Sequence, residues 1–219
     1  MMVRVKICGI KSADIMRVAL DAGADDVGLV LFAKSPRNVG LREAAALADI
    51  ARARAGIVVL SVDPGDAMID EVMREVRPDL LQLHGDETPE RCREIKARWP
   101  VAVMKAIGVG SAADAERALN YLGAVDLVLF DAKPPKSAVL PGGNGVAFDW
   151  SVLAAVSARV PFMLSGGLTP DNVAEAIRAT GAVAVDVSSG VESAPGVKDA
   201  GMIRRFIAAA KASIAQTSH

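Results

Sequence analysis

The sequence predicts an α/β fold, a single (β/α)8 TIM barrel of parallel strands formed as one domain over residues 1–219. Two observations predict it. Short aliphatic runs alternate with longer amphipathic stretches from one end of the chain to the other, which implies right-handed crossovers and a parallel sheet. The alternation repeats about eight times, which favours a closed barrel over an open sheet of about five or six strands.

Strands are expected at 3–8, 26–32, 56–62, 79–84, 101–106, 125–131, 161–165 and 182–187, with helices at 12–22, 42–54, 65–76, 88–98, 112–119, 149–158, 169–179 and 198–213. Ser12 has the chemistry of a helix N-cap, and Asp66 and Asp70 sit in an early turn. Thr88-Pro89 and Thr169-Pro170 each place a proline at the first helical position. Gly23, Gly123 and Gly181 fall where a left-handed residue ends a helix. Segment 133–147 is rich in Pro and Gly and breaks the short-loop pattern. It reads as an insertion, and its position after a barrel strand suits a loop that closes over a site.

Composition narrows the function classes. With 25 Lys and Arg against 26 Asp and Glu, the net charge of -1 supports neither nucleic acid nor an anionic membrane as partner. The N-terminal apolar run meets Lys11 and Asp14 early, so no signal peptide is expected. No apolar stretch reaches the ~18 residues of a membrane span. Two cysteines are too few for a disulfide framework, and a reducing, cytoplasmic setting is the simpler expectation. Two histidines, one of them terminal, argue against a zinc cluster, so no metal and no cofactor are expected.

Strand periodicity selects the residues that reach the barrel interior. Lys6 and Cys8 share one face of the first strand, and Val5 and Ile7 share the other. Cys8 therefore ends an inward row, with Lys6 placed to lower its thiol pKa. The plain alternative is a small buried hydrophobe, which suits Cys92, set at helical spacing with Ile95 and Trp99. Leu127, Leu129 and Asp131 form a second inward row, in which Asp131 either emerges at the carboxyl end, where barrel enzymes hold their catalytic groups, or merely caps a turn or pairs with Lys133. Gln82 and His84 share a face of the fourth strand and point into the same region, and both are expected, with Lys6 and Asp186, among the substrate-binding residues. Arg37, in the loop after the second strand, suits bidentate binding of a carboxylate. Gly166-Gly167 after the seventh strand and Ser188-Ser189-Gly190 after the eighth stand where barrel enzymes bind phosphate, with a short extra helix expected at 195–199.

These segments, in order, resemble the phosphoribosylanthranilate isomerase family. The stretches that carry the resemblance are VKICGI from Val5, KSPR from Lys34, QLHG from Gln82, LFDAK from Leu129, SGGLTPDNV from Ser165 and DVSSGVE from Asp186. One departure is Asn38, where the family usually has an aromatic after Ser-Pro-Arg. The resemblance implies an acid–base Amadori rearrangement of an aminoaldose to an aminoketose in tryptophan biosynthesis, with no cofactor. It implies Cys8 as general base, Asp131 as general acid and Arg37 as the residue that engages the anthranilate moiety. It also implies a phosphate site at Gly166, Gly167, Ser188, Ser189 and Gly190, with Asp186 and His84 lining the pocket. The partner implied is a small phosphosugar substrate, and the assembly a monomer or homodimer.

Rival barrels fit less well. The related aminoaldose isomerase of histidine biosynthesis carries an aspartate where this chain has Cys8. Indole-glycerol-phosphate synthase relies on a lysine and a glutamate that the ends of strands one and six do not supply. An open nucleotide-binding sheet would want G-x-G-x-x-G after an early strand, and Cys8-Gly9-Ile10-Lys11-Ser12 has one glycine.

Overall fold

The computed structural model describes residues 2–133, 142 and 148–213. Its strands are β1 (Arg4–Cys8), β2 (Asp26–Val30), β3 (Gly56–Ser61), β4 (Leu80–Leu83), β5 (Ala102–Val109), β6 (Leu127–Ala132), β7 (Phe162–Leu164) and β8 (Ala184–Val187). Each pairs in parallel with its neighbours in chain order, and β8 returns to β1 to close the barrel. At the closure Lys6 stands in register with Asp26 on one side and Asp186 on the other.

The two faces of each strand meet different surroundings. Outward residues such as Val5, Ile7, Leu29, Leu81, Phe130 and Val185 pack with the helices in the main core. Inward residues form two tiers. Val58, Met104, Leu129, Met163 and Ala184 make an apolar plug inside the barrel. Two residues further along their strands, Leu80 gives way to Gln82, Leu129 to Asp131 and Ala184 to Asp186. A period of two thus converts three strand ends into a polar tier above a dry one.

Among the described residues, seven α-helices cover the barrel: α1 (Ala13–Asp21), α2 (Leu41–Ala51), α3 (Asp66–Glu75), α4 (Pro89–Arg98), α5 (Ala112–Glu116), α6 (Val173–Thr180) and α7 (Ala200–Ala212). Ser12 and Thr88 cap α1 and α4 through Ile15 N–H at 3.4 Å and Arg91 N–H at 3.2 Å, and Pro89 opens α4. Gly23, Gly123 and Gly181 have φ of +90°, +75° and +67°, as helix-ending glycines require. Cys92 is fully buried beside Ile95 and Trp99, the core position its spacing implied.

Four expectations need correction. The helix expected at 112–119 stops after α5 and continues as a 3-10 turn, Arg117–Tyr121. The helix expected at 149–158 is reduced to a 3-10 turn, Trp150–Leu153, followed by further turns. Its buried residues Leu153 and Val156 lie three apart, a spacing that suits three residues per turn. α6 begins at Val173, so Pro170 sits in the preceding turn. There Asn172 accepts from Thr169 N–H at 2.8 Å and donates to Gly167 C=O at 3.0 Å. Residues 195–199 form no helix. Pro195-Gly196, with Gly196 at φ +78°, turns a hairpin of β9 (Glu192–Ala194) and β10 (Val197–Lys198). The short helix is a 3-10 turn nearer β8, Ser189–Val191. Apart from Lys133 and Gly142, the loop at 133–147 lies outside the described residues.

Phe206 on α7 is wholly buried in the main core. Phe206→Ala should lower stability by about 3–5 kcal/mol, measured as a shifted urea midpoint at unchanged m-value. A loss below about 1 kcal/mol would show that α7 does not pack as described.

Candidate active site

A cavity opens at the carboxyl ends of the strands. It is lined by Cys8, Arg37, Gln82, His84, Asp131, Gly166, Gly167, Asp186, Ser188, Ser189 and Gly190. Lys6 is the one site residue expected from sequence that does not line it. Its side chain is fully buried below the cavity.

Cys8 ends β1 opposite Gly28 of β2. A Cβ on Gly28 would lie 2.7 Å from the thiol sulfur and 3.0 Å from Cys8 Cα, so only glycine leaves room for the thiol. Below it, Lys6 Nζ donates to Asp186 Oδ1 and to Gln82 Oε1, each at 2.9 Å. Burial pushes the Cys8 thiol up, Lys6 pulls it down, Asp186 pushes it up again and Lys198 pulls it down. The result is a pKa above the ordinary thiol value. The expected lowering by Lys6 is present but does not win, because burial is the larger effect and Asp186 offsets the lysine charge.

Asp131 is the last residue but one of β6, which is separated from β1 by β7 and β8 on one side and by four strands on the other. The thiol and the carboxyl therefore come from well-separated sectors of the mouth. Asp131 Oδ1 accepts from Ala132 N–H at 2.8 Å, and Oδ2 lies 3.4 Å from His84 Nε2. His84 Nδ1 is 3.2 Å from Gln82 Nε2. Lys133 pairs with Asp114 at 2.8 Å, which removes the alternative that Asp131 serves only to bind it. Gly142 covers the carboxyl–imidazole pair so closely that a Cβ there would meet Asp131 Oδ2 at 2.4 Å and His84 Nε2 at 2.6 Å.

Arg37 lines the cavity, and Glu192 grips its guanidinium. Nε donates to Glu192 Oε1 at 2.8 Å and Nη2 to Glu192 Oε2 at 2.9 Å. Its stem lies on Gly9, whose Cβ would meet Arg37 Cδ at 2.8 Å. Glu192 also accepts from Lys198 Nζ at 2.8 Å, so one buried carboxylate serves two buried cations. Burial raises the Glu192 carboxyl, but the Arg37 hydrogen bond and the Lys198 charge outweigh it and hold it below the usual range. Burial in turn pushes Lys198 below the ordinary lysine value against the pull of Glu192.

The loops after β7 and β8 meet backbone to backbone. A Cβ on Gly190 would lie 1.8 Å from Leu168 O, and one on Gly166 (φ +85°) would lie 2.3 Å from Ala132 N. Ser188 Oγ donates to Cys8 O at 3.2 Å, which ties the β8 loop to the end of β1. Both loops therefore stand at the same end as Cys8 and Asp131. Among the described residues no group of three or more His, Cys, Asp or Glu side chains is placed to hold a metal.

Sequence reasoning missed Gly28, Glu192 as a partner of Arg37, and Lys198. Gly28 is visible only as an unexplained glycine inside a strand, a recognised sign of close approach. Glu192 carries no local signal of its hold on Arg37, which lies far off along the chain, and Lys198 meets Glu192 only because the β9–β10 hairpin sets them side by side.

Residues 5–209 match the family model of N-(5'phosphoribosyl)anthranilate (PRA) isomerase. The chain is 58% identical over 211 residues to the N-(5'-phosphoribosyl)anthranilate isomerase of Paramagnetospirillum magneticum, covering 96% of this chain and 98% of that relative. Among solved structures it is similar to monomers generated from the dimeric phosphoribosylanthranilate isomerase of Thermotoga maritima, with TM-score 0.83 and 39% identity over 96% of this chain and 99% of that one. It is equally similar to a phosphoribosylanthranilate isomerase in complex with reduced 1-(o-carboxyphenylamino)-1-deoxyribulose 5-phosphate, with TM-score 0.84 and 38% identity over the same shares. The family match over residues 5–209, the likeness over 96% of the chain and the closed eight-stranded barrel agree: the chain belongs to the N-(5'-phosphoribosyl)anthranilate isomerase family.

Proposed function

We propose that this chain converts N-(5'-phosphoribosyl)anthranilate to 1-(2-carboxyphenylamino)-1-deoxyribulose 5-phosphate, with Cys8 as general base and Asp131 as general acid. The observation that carries the reading is a thiol and a carboxyl from β1 and β6 lining one cavity with the glycine loops of β7 and β8. Asp131 gives its proton to the ribose ring oxygen, the C1′–O bond breaks, and the anilinic nitrogen takes up the positive charge as an iminium. Cys8 as thiolate removes the C2′ proton, and the electron pair neutralises the iminium to give an enolamine. Tautomerisation of the enolamine gives the ketone. Electrons stay within the substrate, so the step is an isomerisation that needs only proton transfers.

The released Asp131 carboxylate is received by Ala132 N–H, which already points at Oδ1. Arg37, fixed along one edge by Glu192, engages the anthranilate carboxylate. Backbone and hydroxyl groups of Gly166, Gly167, Ser188, Ser189 and Gly190 hold the phosphate, since oriented amides suit an anion in a nearly neutral protein. Gln82, Asp186 and Lys6 support this tier from below. The chain works as one domain in the cytoplasm, as monomer or homodimer, on a small phosphosugar and without nucleic acid.

Purified protein should quench anthranilate-type fluorescence when given phosphoribosylanthranilate. Cys8→Ala and Asp131→Asn should each lower kcat by about 10²–10⁴ with little change in KM. Near wild-type turnover in either variant would sink that assignment. In a Cys92→Ala background without substrate, alkylation of Cys8 should be half-maximal above about pH 8.5, because its raised pKa delays thiolate formation. A midpoint at or below neutrality would contradict the burial effect. Gly28→Ala should cut kcat on the order of 100-fold at unchanged circular dichroism, by displacing the sulfur. Arg37→Ala should raise KM about 10- to 100-fold, a loss that shrinks for an analogue lacking the carboxylate. Equal loss for both substrates would give Arg37 another role.

A further inference from the structure

The side chain of Gln82 is almost wholly buried between two groups whose hydrogen-bonding roles are unequal. Lys6 presents only donors. Burial opposes its charge, but Asp186 and Cys8 outweigh burial and hold its pKa above the ordinary lysine value, so it remains an ammonium. The Gln82 oxygen must therefore face Lys6, at 2.9 Å, and its amide nitrogen must face His84 Nδ1, at 3.2 Å. An amide N–H donates and has nothing to accept with. A hydrogen on His84 Nδ1 would meet that N–H head on, so Nδ1 accepts and the ring hydrogen sits on Nε2. His84 Nε2 is the atom 3.4 Å from Asp131 Oδ2.

We propose that Gln82 is a positioning residue for the reaction: with its amide oriented by Lys6, it fixes the tautomer of His84 so that the Nε2–H points at the Asp131 carboxyl. The chain of contacts then runs from the Lys6–Asp186 pair through Gln82 and His84 to the acid. Its effect is directional. The N–H aimed at Oδ2 supports the carboxylate that Asp131 becomes after it protonates the ring oxygen. The other tautomer would offer that carboxylate a lone pair instead. This inference rests on the reading of Asp131 as the acid.

The protein has two histidines, His84 and His219, so nitrogen NMR of the imidazoles reads the ring directly, with His219→Ala identifying the second set of signals. At about pH 8.5, above the ordinary range of histidine titration, the wild-type ring should be the Nε2–H tautomer. Gln82→Glu keeps the shape but offers Nδ1 only an acceptor, so the ring should switch to Nδ1–H. Its kcat should fall about 10- to 100-fold, as loss of a supporting shell does, with KM within about threefold. Gln82→Met adds no charge beside Lys6 and covers a failure of the first variant to fold. It should leave a mixture of tautomers and a similar loss of kcat. A wild-type Nδ1–H ring, or an Nε2–H ring unchanged in both variants, overturns the inference alone. Wild-type turnover in Asp131→Asn overturns the acid role, and the inference falls with it.

Discussion

A lysine ammonium with no exposure, set inside a closed barrel, constrains everything above it. Lys6 cannot stay charged there without a counter-charge and acceptors. The closure of β8 on β1 supplies both, by bringing Asp186 into register beside it, and Gln82 adds an acceptor from β4. With those partners fixed, the polar tier has little freedom. Asp186 also receives Ser165 Oγ at 3.3 Å, and Gln82 turns its amide nitrogen to His84. The floor of the cavity is thus a hydrogen-bonded layer whose orientation propagates from one donor-only group.

The mouth repeats this economy with a second buried carboxylate. Glu192 holds Arg37 and Lys198 together, although it lies far from Arg37 in sequence. Gly196 N–H donates to Glu192 Oε2 at 3.2 Å, and a Cβ on Gly196 would lie 2.5 Å from Pro36 O. The hairpin after β8 therefore leans on the loop that carries Arg37. Buried ion pairs of this kind seldom stabilise a fold relative to apolar packing. Their presence at the mouth is better explained by orientation of the guanidinium, and the aliphatic packing between strands and helices carries the stability.

The raised Cys8 thiol fits this picture of a dry, crowded site. A base of higher pKa removes a carbon-bound proton more effectively, but a smaller fraction of it is ionised near neutrality. Lys6 and Lys198 pull against burial, and Asp186 limits how far they can. The thiol is therefore set by a balance among charges from β1, β8 and β10, and Gly28 of β2 provides the space in which its sulfur sits.

Most of the barrel was legible in the sequence because its signals are local. Period-two rows put Lys6, Cys8 and Asp131 on inward faces, Ser12 and Thr88 marked helix starts, and Gly181 marked an end. Where two local signals competed, the reading failed. Pro170 looked like a first helical residue until Asn172 closed the turn ahead of α6, and Pro195-Gly196 made a hairpin in place of a helix. The lowering of the Cys8 pKa by Lys6 failed for a different reason: the balance depends on burial and on Asp186, which is distant along the chain. By itself the sequence determined the alternation, the inward rows and, through its motifs, the family. The tertiary structure alone decided that Glu192 holds Arg37, that Gly28 makes room for the thiol and that Lys6 orients Gln82. These are contacts between strand ends and loops brought together by barrel closure. Charge, desolvation and steric fit depend on distances through space, which spacing along a chain does not contain.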